Sequence, residues 1–240
     1  TVTPVTTSDV TGATTLYLTP YLGNRIALYY NSAWTVYSLS SDLSLSLSGY
    51  TASTLYDIWC YSNAGTPTLA STAWSSSTAG SSSRATALAV QDGVYVKTGA
   101  TNYRYLGTIF VNSSGGQTND SVANRYVYNY YNQVARQVYK DDATGHTYTT
   151  NSYRNWNNSA TSTKAELVRG VFEEPVDIRW YGSITPSSVV GFTAPLVNGA
   201  TSLIKTSANI AIANNGLNSV GSTMWHAPIG YNYLIWLLRC

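Results

Sequence analysis

Leu43-Ser44-Leu45-Ser46-Leu47 alternates strictly between apolar and polar residues. A period of two belongs to a strand with leucines on a core and serines in water. The surrounding chain follows suit. Upstream, Thr15-Leu16-Tyr17-Leu18 is stopped by Pro20 and the Gly23-Asn24 turn. Arg25–Tyr30 and Trp34–Tyr37 flank Asn31-Ser32-Ala33 as a hairpin. Downstream, Tyr56–Tyr61 and Pro67–Leu69 flank Asn63-Ala64-Gly65 as a second hairpin. Gly93–Lys97 and Tyr103–Val111 make a third around Thr98-Gly99.

Between these hairpins the pattern is looser. Ser71–Ser83 is a Ser/Thr/Ala/Gly stretch expected to be a flexible loop. Ala85–Gln91 fits a strand or a short helix. Asp120 is placed to cap a brief helical turn over Ser121–Asn124. Tyr126–Tyr139 carries two periods at once. Tyr126, Tyr128 and Tyr130 alternate like a strand, whereas Val127, Tyr130, Tyr131, Val134 and Val138 repeat like one helix face. Its tyrosine and valine content favours the strand.

Residues 1–14 are Thr-rich and aperiodic, and are expected to form an extended arm. Lys140-Asp141-Asp142-Ala143-Thr144-Gly145-His146 is the most charged break in the chain and the natural domain boundary. Beyond it the strand-like segments are Thr147–Thr149, Glu166–Arg169, Val176–Tyr181, Val189–Phe192, Ser202–Lys205, Asn209–Ile212 and Tyr231–Leu238, with a turn at Asn214-Asn215-Gly216. The expectation is an all-β protein: antiparallel, jelly-roll-like sandwich domains over 15–139 and 140–240, the second facing outward, behind an N-terminal arm.

Composition narrows the function. Only 10% of the residues are charged, against roughly 25% in typical domains. There are 21 tyrosines and 3 phenylalanines. Tyrosine buries apolar area while its hydroxyl stays satisfied by water or a partner. The 13 basic and 11 acidic residues are scattered, so no basic stripe exists to track phosphates, and nucleic acid is excluded as an expected partner. The longest apolar stretch, Tyr231–Leu238, is too short to cross a bilayer as a helix, and no membrane insertion is expected. Cys60 and Cys240 match no metal or redox motif. Cys60 is expected to pack as a small hydrophobe, and pairing with Cys240 stays open.

Few residues suit chemistry. Glu173, Glu174 and Asp177 lie near Trp180 and Tyr181, as carboxylates do beside aromatics in glycan-cleaving sites, but Glu173-Glu174-Pro175 is also an ordinary solvated turn. Asp141, Asp142 and His146 fit no calcium loop and are expected to form a solvated turn. His226 has no nucleophile elbow to serve. No catalytic residue, metal ligand or cofactor is assigned. Aromatics are the better candidates. Tyr153, Trp156, Trp180 and Tyr181 are the possible glycan contacts, because exposed rings stack on sugars while neighbouring amides bind hydroxyls. For Trp156 the competing reading is ordinary packing. Tyr126, Tyr128, Tyr130 and Tyr131 are the possible oligomer interface.

The strings Thr15–Tyr21, Gly23–Leu28, Leu45–Gly49 with Tyr56-Asp57, Arg84–Leu88, Gln91–Val96, Arg104–Ile109, Gln117–Ser121, Arg125–Asn132 and Ile229–Leu234 resemble a family of tailed-bacteriophage virion proteins. The resemblance covers most of residues 15–135 and is patchier beyond. It implies a fibre, spike or decoration subunit located in the virion, and it carries over no active-site residues. The implied partners are further copies of the chain, a trimer before other states, together with other capsid or tail proteins and a host-surface glycan. A carbohydrate- or receptor-binding module is the alternative expectation, and a glycan-cleaving enzyme the next.

Overall fold

The computed structural model describes residues 8–150, 152–172, 174–184, 192–199 and 217–239. In chain order the strands are β1 (Val10–Ala13), β2 (Thr15–Leu18), β3 (Arg25–Tyr30), β4 (Ala33–Ser38), β5 (Leu43–Ser46), β6 (Leu55–Asn63), β7 (Thr66–Ala73), β8 (Leu88–Gln91), β9 (Val94–Lys97) and β10 (Ala100–Phe110). They continue as β11 (Thr118–Asp120), β12 (Asn124–Arg125), β13 (Val127–Asn129), β14 (Arg154–Asn155), β15 (Ala165–Arg169), β16 (Val176–Ile184), β17 (Phe192–Val197), β18 (Leu217–Trp225) and β19 (Gly230–Arg239). One short 3-10 turn, Trp156–Asn158, is the helical content among the described residues. The chain is all-β, as expected.

The central layer is the sheet β7-β6-β10-β9-β8, with β13 also paired to β10. Leu55 through Cys60 are all buried, unlike the alternating Leu43–Ser46 of β5. Burial of consecutive residues means that both faces of β6 are covered. On one face Tyr56, Ile58 and Cys60 join Leu106, Ile109 and Leu28, against side chains of the β2–β5 and β3–β4 ribbons. On the other, Leu55 and Phe110 meet Tyr126, which follows β12, and Val168 and Tyr231 of a second sheet, and Trp59 and Tyr105 meet Val171. That second sheet runs β1-β11-β12-β15-β19-β14, with β17 also on β19. Its pairs are antiparallel except β12 with β15, which are parallel.

The second sheet draws strands from both sides of the expected division at 139/140. Its strands come from the arm, from the 118–125 region and from the C-terminal hundred residues, all hydrogen-bonded in one sheet. The described end of the arm is strand β1, held on β11 of the same chain by Val10↔Asp120 and Ala13↔Thr118. The β16–β18 ribbon is paired separately.

Local expectations also change or are resolved. Asp120 caps no helix, because Ser121 and Asn124 exchange backbone hydrogen bonds in a tight β11–β12 turn. Ala85–Gln91 resolves as strand β8 from Leu88, returned to β9 by Asp92-Gly93, both at positive φ. Such Asp-Gly pairs fit the primed turn that joins twisted strands. Tyr126–Tyr139 is not one strand. Regular pairing stops at Asn129, and the following residues through Thr150 have none. The expected 71–83 loop begins later, since β7 extends to Ala73, and Ser76 bridges Ser83. Thr147–Thr149 is not a strand. Ser202–Lys205, Asn209–Ile212, Asn214–Gly216 and Cys240 lie outside the described residues, as do Val189–Gly191.

One irregularity in β10 brings separate polar side chains together. Tyr105 pairs with Trp59 and Gly107 with Ile58, leaving Leu106 as an extra residue. In a regular strand, residues 105 and 108 would point to opposite faces. The bulge turns Tyr105 and Thr108 to the same face, onto Asp57. Gly107 is required beside it, since a Cβ there would stand 2.0 Å from the Tyr128 carbonyl oxygen of β13.

Candidate functional site

The sequence-derived candidates do not assemble into one surface. Trp180 and Tyr181 are successive residues of β16 and face opposite ways. Trp180 is 7% exposed, lies on Gly221 where a Cβ would be 2.1 Å from its ring, and neighbours Trp236. Its burial removes it from the glycan-contact set. Tyr181 is 66% exposed, and Tyr153 is also exposed. Trp156 is half-buried, edge-on to His146 at 5.1 Å, with its indole N–H lacking a hydrogen-bond partner.

The four tyrosines expected at an oligomer interface also differ in exposure. Tyr126 is buried against Phe110 and Tyr231. Tyr128 packs over Gly170, and Tyr130 meets the edges of Tyr95 and Tyr105. These rings pack in or against the core of the chain because β13 docks on β10. Tyr131 alone of the four is exposed, and the Arg104 guanidinium covers its ring at 4.5 Å.

The charged turn is a self-capped loop. Asp142 accepts from the Thr144 backbone N–H at 3.0 Å and from Asn157 Nδ2 at 3.3 Å. These donors, the Thr144 N–H first, pull its carboxyl down to about 2. His146 Nε2 accepts from the Asn157 N–H at 3.2 Å. No group of three or more His, Cys, Asp or Glu side chains gathers among the described residues. Glu173 lies outside the described residues. Asp177 is exposed and paired with Arg179 at 2.8 Å.

Two acidic clusters missed by the sequence reading carry the polar architecture. The first is dry. Asp57, 2% exposed, receives Arg84 Nε at 2.8 Å and Nη2 at 3.2 Å, and Thr108 Oγ1 at 2.7 Å. Tyr105 shares a 2.6 Å hydrogen bond with Thr108. Arg84 Nη2 also donates to the Gly170 carbonyl at 2.6 Å, and the guanidinium stacks over Trp74 at 4.4 Å. Arg84 therefore ties the central sheet to the loop after β15. Burial drives the Asp57 carboxyl up, and Arg84 opposes it.

The second cluster opens on solvent. Parallel pairing of β12 with β15 sets Asn124 directly beside Glu166. Lys164, two residues earlier, points to the same side. Glu166 Oε2 receives Asn124 Nδ2 at 2.5 Å and the Tyr126 hydroxyl at 2.7 Å. Oε1 receives Lys164 Nζ at 2.6 Å and the Tyr231 hydroxyl. Lys164 Nζ also donates to Tyr231 at 2.9 Å and lies over the Tyr233 ring at 4.6 Å. Burial, then the negative charge of Glu166, pushes the Tyr126 phenol up. For Tyr231, burial and the hydrogen bond to Glu166 do the same. Both hydroxyls therefore stay protonated donors. A cleft of about 210 Å³ gives access, lined by Ala123, Asn124, Lys140, Thr161, Lys164 and Glu166. Chemically the site offers one carboxylate touched on one oxygen by a primary amine and on the other by a carboxamide. Asn124 and Glu166 lie far apart in sequence in a chain dense in Asn, so no spacing announces them.

Comparison with protein-family models, with curated proteins and with solved structures gives no match.

Proposed function

We propose that the chain is a structural subunit of a tailed-phage particle, a fibre, spike or decoration element that assembles with copies of itself. The observation carrying this reading is that both acidic clusters are spent on cross-ties, the first between the two layers and the second between strands of one sheet. Arg84 links the central sheet to Gly170, and Glu166 gathers donors from β12, β13's approach and β19. Such cross-ties give a rigid body, as a particle component requires. The sequence resemblance over residues 15–135 supports the same reading. The oligomer contacts move outward from the buried tyrosines to Tyr131, Val134 and Tyr139, which are exposed along one irregular segment. Rings with few rotors suit such contacts. Light scattering on the purified chain tests the assembly: a closed oligomer, a trimer first, is expected, and a monomer at all concentrations defeats it. Mass spectrometry and imaging of intact particles test the location, with many copies on the shell for decoration and a few at one vertex for a tail element.

Attachment to a host glycan is the second reading, favoured by the exposed Tyr153 with the half-buried Trp156 close in sequence. Glycan-array binding that disappears in Trp156→Ala and Tyr153→Ala supports it. Binding unaffected by both removes this surface from the reading.

A further inference from the structure

The Glu166 cleft holds the three groups of an amide-forming reaction. The amine of Lys164 and the amide nitrogen of Asn124 rest on the two oxygens of one carboxylate. The Asn124 carbonyl oxygen faces the Ser121 hydroxyl, which donates at 3.5 Å from a buried position. From this geometry we infer that Lys164 and Asn124 form an intramolecular isopeptide bond, with Glu166 as the proton relay. The inference stands independently of the particle assignment.

The reaction balances without an oxidant or cofactor. Glu166 Oε1 takes a proton from the Lys164 ammonium, freeing its lone pair. Nζ attacks Cγ of Asn124, and Ser121 Oγ donates to the oxygen that becomes negative. Glu166 relays protons from Nζ to Nδ2, two in total. The Cγ–Nδ2 bond breaks, nitrogen leaves as ammonium, and Glu166 returns to its starting carboxylate. The new bond joins Lys164 Nζ to Asn124 Cγ.

Each feature of the cleft serves a step. Fixing amine and amide on one carboxylate removes most of the entropic barrier to their encounter. The flexible lysine stem allows Nζ to swing from Oε1 towards Cγ, which a planar guanidinium would not do. The rings of Tyr126, Tyr231 and Tyr233 wall the cleft and hold Lys164 and Glu166 against each other. The opening to solvent lets ammonium depart. Asn124 and Lys164 also bracket the long segment with little regular pairing between β13 and β15. A covalent tie would hold the parallel β12–β15 pair, whose partners are joined only through that segment.

Intact-mass spectrometry of the folded full chain decides the question. The expected mass is lower than the sequence mass by one ammonia, and tandem spectra show a branched peptide joining Asn124 to Lys164. Lys164→Arg keeps the positive charge and is expected at full mass, as is Glu166→Gln. A wild-type chain at full mass overturns the inference. So does an ammonia loss found in an unbranched peptide, which marks a succinimide at an asparagine. Loss that persists with a branched peptide in Glu166→Gln overturns the relay. If Glu166→Gln fails to fold, Lys164→Arg and the wild-type peptide map still decide whether the bond forms.

Discussion

Asp57 and Glu166 are two solutions to the same problem, a carboxylate inside a sheet protein. Asp57 is closed in by a guanidinium, a threonine and two covered sheet faces. Glu166 is held by an ammonium, an amide and two phenols at the edge of a cleft. The difference lies in the cation. Arginine presents a planar fork that binds two oxygens at once, remains charged, and is no nucleophile at neutral pH. Lysine presents a single rotatable nitrogen that reacts once deprotonated. The same electrostatic requirement is thus met by an inert clamp in the dry interior and by a reactive group where water reaches.

The largest effect expected from breaking this comparison is at Asp57. Asp57→Ala leaves Arg84 buried, with no counter-charge within reach and little solvent. Removing one member of a buried pair costs about 3–5 kcal/mol. Chemical denaturation should show that loss. Glu166→Ala should cost less, about 1–3 kcal/mol, because Lys164 is 24% exposed and turns to water, leaving chiefly neutral donors unpaired. Equal losses at the two sites would mean that the cleft gives no relief.

Neither cluster was legible in the sequence, and the reason is topological. Leu43–Leu47 announced a strand because alternation is a local property that solvent on one face enforces. The hairpins at Asn31 and Ala64 were equally local. Asp57, by contrast, needs Thr108 and Tyr105 on one face, which a single extra residue at Leu106 decides. Nothing in Tyr105-Leu106-Gly107-Thr108 distinguishes a bulged strand from a straight one. Asn124 meets Glu166 through a parallel pairing of two-residue β12, below the length at which periodicity exists. The tyrosine string Tyr126–Tyr131 is ambiguous for the opposite reason. Its pattern was local and clear, but a ring suited to an interface suits a core equally, and at Tyr126 the hydroxyl reaches Glu166 from a buried position.

Alkaline pH sharpens the comparison further. Tyr105 on the Asp57 side, and Tyr126 and Tyr231 on the Glu166 side, all have phenols raised above the ordinary value near 10. Their folded forms hold protons that the unfolded chain releases. The stability they contribute is therefore present below pH 10 and is lost as pH rises above it. Each tyrosine removes at most about 1.4 kcal/mol per pH unit. Melting followed from pH 9 to 11 should fall steeply past 10, and Tyr126→Phe should flatten the slope. A melting temperature that stays level through this range would contradict the raised phenols.

Cys60 offers a finer probe of the dry side. It lies in the same strand as Asp57 but on the opposite face, and burial pushes its thiol up to about 11. The native thiol should resist alkylation at pH 8 and react fully in denaturant. In Asp57→Ala the rate should rise through local opening, whereas Glu166→Ala should leave it unchanged. Equal rates in the two variants would show that the layers open together.

The smallest effect is expected where both ions are wet. Asp177 and Arg179 form a 2.8 Å pair on the outer face of β16, with side chains 42% and 80% exposed. Arg179 is two residues from its partner and gives up rotamer freedom to reach it, in surroundings where water screens both charges. Asp177→Ala should therefore change stability by about 0.5 kcal/mol or less, and added salt should erase even that. The geometry is as short as at Asp57, with 2.8 Å in each case. A loss at Asp177 approaching that at Asp57 would mean that distance, rather than exclusion of water, sets the strength of these pairs.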